Sequence, residues 1–79
     1  MSDALTESLS RIWKEALGTT RVSPEENFFD LGGDSLAAIT VVAAIYNEFS
    51  VEIPIRILFD NPTINEFSEA LVEILGLDS

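Results

Sequence analysis

The chain has no cysteine and no histidine, and only four basic residues stand against fourteen acidic ones. Without cysteine there are no disulfides, no thiolate metal ligands and no thiol chemistry native to the polypeptide, so a thiol would have to be brought in. Without histidine, the usual general base for a serine nucleophile is missing. A formal charge of −10 makes nucleic acid and anionic membranes poor partners and basic protein surfaces good ones, unless it serves only to keep the chain in solution. No uninterrupted apolar run nears the ~20 residues needed to span a bilayer. Met1-Ser2-Asp3 leads into no basic segment of the kind that opens a signal or transit peptide. A cytoplasmic location, with no membrane or nucleic-acid partner, is the expectation. Asn61-Pro62-Thr63 resembles a glycosylation acceptor, but its central proline disqualifies it.

What the chain does have is apolar residues, 47% of its 79 positions. That is enough for one small core, in a domain burying roughly 60% of its unfolded surface, but leaves little room for an enclosed substrate pocket. Residues 1–79 are read as one domain and a monomer.

The apolar residues recur with a helical period. Leu5, Leu9, Ile12, Trp13, Ala16 and Leu17 are spaced by threes and fours, with Ser2 or Asp3 placed to cap the helix and Gly18 to end it. A long connection follows, from Gly18 to Asp34. Within it Ser23-Pro24-Glu25-Glu26 predicts a short helical turn, and Val22, Phe28, Phe29 and Leu31 are anchors that pin the loop to the core. A second helix is predicted from about Ser35 to Phe49, capped by Asp34. Its buried stripe is read as Ala38, Val42, Ile45 and Phe49, flanked by Ile39 and Tyr46. Pro54 introduces a short segment, Ile55 to Phe59, stopped by Asp60-Asn61-Pro62. Thr63-Ile64-Asn65-Glu66 is a capping box that opens a last helix, with Ile64, Phe67, Leu71, Ile74 and Leu75 on its apolar face and Gly76 at its end. The fold class is all-α: a four-helix bundle of three longer helices and one short helix, with a long loop between helices 1 and 2.

The second helix carries no charged residue from Ser35 to Asn47. On its outward side the periodicity sets Leu36, Ala37, Thr40, Ala43 and Ala44. In so acidic a chain a solvated helix face without charge is either a docking surface or a face that a neighbouring helix covers.

The same helix begins at the best chemical handle in the chain, Leu31-Gly32-Gly33-Asp34-Ser35-Leu36. Gly32 and Gly33 let the backbone turn sharply and leave space around Ser35. At a helix start, unpaired amides and the positive end of the macrodipole favour a negative group such as phosphate on that side chain. Asp34 opposes this, and its offsetting role is capping, or binding the divalent metal of a modifying enzyme. Gly33-Asp34-Ser35-Leu36 also spells the nucleophile block that names a family of lipases and esterases. Hydrolysis needs a base, and this chain has no histidine and too few residues for the α/β architecture of those enzymes. A calcium loop starting at Asp30 fails because its twelfth position is Val41 rather than glutamate, and no metal site is expected.

Two blocks, Asn27-Phe28-Phe29-Asp30-Leu31-Gly32-Gly33-Asp34-Ser35-Leu36 and Ile55-Arg56-Ile57-Leu58-Phe59-Asp60-Asn61-Pro62-Thr63-Ile64, together resemble the phosphopantetheine-dependent carrier proteins over nearly the whole chain. The resemblance implies that Ser35 receives 4'-phosphopantetheine from coenzyme A through a phosphopantetheinyl transferase. The arm then holds acyl or aminoacyl groups as thioesters. It implies a carrier rather than a catalyst, with Asp34 helping the transferase and Gly32 and Gly33 shaping the turn. The implied partners are an adenylating enzyme and condensation, epimerisation or other tailoring enzymes. Leu36, Ala37, Thr40 and Ala44, with Ile55 and Phe59, are the expected docking residues. The double glycine is most like the peptidyl carriers (thiolation domains) of nonribosomal peptide synthesis, although many of these have histidine where this chain has Asp34. Aspartate there also resembles aryl carriers, carriers working with epimerisation domains, and polyketide carriers. A free-standing protein is expected over an excised module. The reading from a different class is an unmodified helical interaction module.

Overall fold

The computed structural model describes residues 3–76. Four helices follow in order, α1 (Asp3–Leu17), α2 (Ser35–Phe49), α3 (Arg56–Asp60) and α4 (Ile64–Leu75), and there is no strand among the described residues. α1 packs on both α2 and α4, and α3 leans on α4. Of the two caps expected for α1, Asp3 is its first residue and Ser2 lies outside the described residues.

The core is apolar almost throughout. α1 supplies Leu5, Leu9, Ile12 and Trp13, α2 supplies Ala38, Val41 and Ile45, and α4 supplies Ile64, Phe67 and Leu71. Phe28 from the long loop, Ile53 and Leu58 complete it. Trp13 sits at the centre, its ring edge-on to Phe28 with centroids 4.9 Å apart and tilted against Phe67 at 6.2 Å. Its indole Nε1 is buried without a hydrogen-bond partner among the described residues. An unpaired donor costs about 1–3 kcal/mol, comparable with the gain from burying one large side chain, so the bulk of the ring repays its polar edge.

Chemistry at the helix ends explains where the chain turns. Asp34 Oδ1 accepts from the Ala37 N–H at 2.9 Å and starts α2. Thr63 Oγ1 accepts from the Glu66 N–H at 3.1 Å and starts α4, while the Glu66 carboxylate accepts from the Thr63 hydroxyl at 3.2 Å. The glutamate thus returns to the cap's hydroxyl rather than to its N–H, as a full capping box would have it. Ser23-Pro24-Glu25-Glu26 makes a single turn, with the Glu26 N–H on the Ser23 carbonyl at 3.1 Å and the Ser23 N–H on Glu26 Oε1 at 2.9 Å. Two bonds then dock the loop on the corner before α4: Phe28 N–H to the Pro62 carbonyl at 2.8 Å, and Asn65 N–H to the Pro24 carbonyl at 3.1 Å.

Gly18 and Gly76 end α1 and α4 with φ of +67° and +70°, but α2 ends on Ser50 at φ +57°. A side chain in that left-handed region is strained, so Ser50→Gly is expected to stabilise the domain by about 1 kcal/mol. Urea unfolding should show a higher midpoint at unchanged slope, and an unchanged or lower midpoint would contradict the assignment.

Three expectations from the sequence need correction. α3 runs one residue later than Ile55–Phe59, because Pro54 and Ile55 form the lead-in: the Ile57 N–H bonds the Pro54 carbonyl at 3.0 Å, and Ile55 takes the cap position without a side-chain bond. Ile74 is 42% exposed rather than on the buried face of α4, which instead includes Ser68. In α2, Val41 replaces Val42 at the centre of the buried stripe, Val42 and Phe49 are half-buried, and Ile39 and Tyr46 face outward. The stripe is turned toward Ala37 and Ala44, which are half-buried against the core rather than outward. Ala44 lines a shallow hollow with Arg11, Ile12 and Glu15 of α1. Alanine on that side lets the two helices approach closely.

Candidate functional site

The turn before α2 is assembled by its own backbone. Asn27 Oδ1 accepts from the N–H groups of Phe29 at 2.8 Å and Asp30 at 3.4 Å. This winds one turn, in which the Leu31 N–H reaches the Asn27 carbonyl at 3.2 Å and the Gly32 N–H reaches that of Phe29 at 3.3 Å. The chain then reverses at Gly32, whose φ is +96°.

The two glycines do different work. A Cβ on Gly32 would meet nothing within 4 Å, so glycine is needed there for its backbone angle. Gly33 has no such angle, but a Cβ on it would overlap the ring carbons of Phe28 and stand 2.7 Å from the Phe28 carbonyl oxygen. The Gly33 N–H donates to that same carbonyl at 3.1 Å. Gly33 is therefore glycine because the backbone lies directly on the core, whereas the sequence suggested that it cleared space around the serine.

Ser35 follows as the first residue of α2 and is exposed, as is Asp34. Asp34 spends Oδ1 on the Ala37 N–H, and its carbonyl accepts from the Ala38 N–H at 2.9 Å. By helix geometry the N–H groups of Ser35 and Leu36 have no carbonyl a turn before them. An exposed hydroxyl beside two free first-turn amides, on a helix with no acidic residue in that turn, suits a phosphate ester. It does not suit hydrolysis, which would need a base beside it in a chain without histidine.

The surface next to Ser35 is apolar. Leu36 is 72% exposed, and Ile39 and Tyr46 55% each, in line with Thr40 and Ala43 on the same side of α2. Of the other expected docking residues, Phe59 is 47% exposed at the end of α3 and Ile55 is half-buried. Phe59 lies flat against Phe29 of the loop, centroids 5.1 Å apart and planes 7° from parallel. Sequence reasoning did not pair these rings, and nothing local in either segment signals the contact. At the far end of α2 the Arg11 guanidinium of α1 bonds Glu48, holding that carboxyl below its ordinary range. Both groups are at the surface, so this pair orients α1 against α2 more than it stabilises them.

Residues 7–71 match the family described as phosphopantetheine attachment site. The chain is 46% identical over 67 residues to gramicidin S synthase 2 of Brevibacillus brevis, covering 85% of this chain and 2% of that synthase. It is similar in structure to BlmI, a type-II acyl-carrier protein of Streptomyces verticillus involved in bleomycin biosynthesis, with a TM-score of 0.87, 32% identity and coverage of 91% and 87% of the two chains. It is equally similar to a chain in the structure of the phosphopantetheine transferase Sfp in complex with coenzyme A and a peptidyl carrier protein, with a TM-score of 0.85, 33% identity and coverage of 92% and 95%.

The chain belongs to the phosphopantetheine attachment family. It is a carrier domain of the kind found in nonribosomal peptide and polyketide synthesis, and its prosthetic group is 4'-phosphopantetheine. Among the described residues no helix is long and apolar enough to cross a membrane.

Proposed function

We propose that Ser35 is the attachment point and that this domain carries aminoacyl or peptidyl intermediates between enzymes without catalysing a reaction itself. The observation that carries the reading is an exposed serine hydroxyl at the first position of a helix that bears no charge from Ser35 to Asn47. Ser35 Oγ forms the phosphodiester, the nucleotide half of coenzyme A leaves, and the serine proton passes to a base of the transferase, because no imidazole exists here to take it. Gly32 and Gly33 aim the serine, and the first-turn amides face the phosphate. Asp34 keeps one carboxylate oxygen for the cap and the other for the transferase or its metal ion. When bound, the prosthetic group supplies a terminal thiol that holds cargo as a thioester, which this cysteine-free chain lacks. Tethering raises the effective concentration of the cargo at each partner in turn.

Similarity to gramicidin S synthase 2 supports an amino-acid or peptide cargo over an aryl or polyketide one. Residues 1–79 acting as one monomeric carrier domain, in the cytoplasm with coenzyme A at hand, are part of the same proposal. Incubation with coenzyme A and a broad-specificity phosphopantetheinyl transferase should add one phosphopantetheine to the intact mass. No addition, under conditions that modify a control carrier, would overturn the reading.

The transferase, an adenylating enzyme and the condensation, epimerisation or other tailoring enzymes are proposed to dock on Leu36, Ile39, Thr40 and Ala43 of α2, with Phe59 beside them. Ala37, Ala44 and Ile55 support this surface from its half-buried edges. Ala43→Glu puts a charge in the middle of the exposed row at no cost to the core. Loading by the cognate adenylating enzyme should fall about tenfold with helicity unchanged, since burying one unpaired charge at an interface costs more than a surface change does. Unaltered loading kinetics would remove α2 from the docking surface.

A further inference from the structure

Four aromatic rings run in a row from the core to the surface. Trp13 meets Phe28 edge-on at 4.9 Å, Phe28 meets Phe29 edge-on at 5.3 Å, and Phe29 lies flat on Phe59 at 5.1 Å. The first two are fully buried, Phe29 is half-buried and Phe59 is exposed. The turn that precedes Ser35 rests on this row, because Gly33 lies against the Phe28 ring and bonds its carbonyl. Through Phe29 the same row reaches α3. That helix has only five residues, no side-chain cap and one buried residue, Leu58. A helix so short is held by its contacts and not by its own hydrogen bonds.

The stack is therefore a clasp between two segments that are weak alone, the loop before Ser35 and α3. We propose, resting on Ser35 as the attachment point, that Phe29 is a positioning residue for the modification. Its flat contact with Phe59 holds Phe28 and Gly33 in register and so fixes where the Ser35 hydroxyl stands when a transferase engages. Leucine at this position would keep an apolar contact but lose the flat face, and the turn would sample other registers while the α1, α2 and α4 core stayed intact. A small misplacement of a reacting group is enough to slow transfer severely.

The test uses the whole chain, coenzyme A and a broad-specificity transferase, with the carrier concentration varied. Phe29→Leu should lower kcat about tenfold with KM unchanged, because the docking surface on α2 is untouched. Phe29→Tyr, which keeps the ring, should restore it. Phe59→Leu should give the same loss of kcat from the other side of the stack, with KM raised as well because Phe59 borders the docking surface, and the kcat of the double variant should be no lower than that of either single one. A second readout needs no modification at all: the Gly33 amide, bonded to the Phe28 carbonyl, should exchange with solvent faster in Phe29→Leu, while the amides of Leu9 and Phe67 keep their protection. A loss confined to KM, multiplying losses in the double variant, or an unchanged Gly33 amide would each overturn the clasp. If the wild-type chain takes no phosphopantetheine, the reading of Ser35 fails, and amide exchange alone still decides whether Phe29 positions the turn.

Discussion

Ser35→Ala is expected to abolish the phosphopantetheine mass gain entirely while the domain unfolds at the same denaturant concentration as the wild type. The two halves of this result come from different atoms. The hydroxyl is exposed at the first position of α2, and the cap is made by Asp34, so removing the oxygen orphans no buried group. An exposed change of this kind stays within about 0.5 kcal/mol, and alanine is the best helix former. The loss is total because the other described serines have different settings: Ser8 and Ser10 lie half-buried inside α1. Ser68 is buried and donates to the Asn65 carbonyl at 2.9 Å, the Ser23 hydroxyl is taken by Glu25 at 3.3 Å, and Ser50 closes a helix instead of opening one. Intact-mass and peptide-level spectrometry on both proteins, with circular dichroism for the fold, checks this directly. Residual modification of the alanine variant would move the attachment point to another hydroxyl.

Gly33→Ala should be the most damaging single methyl group in the site. Its Cβ would overlap the Phe28 ring, which is itself fully buried against Trp13. Neither ring can retreat without opening the core, and the bond from the Gly33 N–H to the Phe28 carbonyl is strained by the same displacement. Overpacking of this kind costs about 1–3 kcal/mol, a large part of the stability of a domain for which the whole is of order 5–15 kcal/mol. Gly32→Ala is the control. There the added methyl group meets open space, and the only cost is the left-handed backbone, about 1–2 kcal/mol. Gly33→Ala is expected at the top of its range, and pairing it with Phe28→Leu, which withdraws part of the ring, should recover stability. Urea unfolding of the three variants measures both costs, and a Gly33→Ala protein as stable as wild type would mean that the turn does not rest on the core.

The sequence reported on these features unevenly, and the reason lies in how local each signal is. α2 and α4 begin where expected, and α4 ends where expected, because Asp34, Thr63 and Gly76 act on groups within four residues of themselves. α3 has no side-chain cap, and its start slipped by one residue. The orientation of α2 was only partly legible. From Leu36 to Tyr46 every residue but Thr40 is apolar, so a single threonine marks the side turned away from the core, and the choice of Val41 over Val42 is made by α1. That an exposed serine opens α2 after a glycine turn could be read from residue types alone. The reason for Gly33 could not, because its partner Phe28 reaches it across the loop, and the Phe29–Phe59 stack joins segments far apart in the chain.

The row of rings that passes under the Ser35 turn begins at Trp13, the one tryptophan of the chain. Its indole is fully buried, with no acceptor for its N–H among the described residues, which is the dry setting that gives short-wavelength emission. One fluorophore, built in and unlabelled, thus sits a single ring away from the backbone that presents the serine. The domain carries its own optical gauge of that packing: variants that loosen the core behind the turn are expected to move the indole emission to longer wavelength.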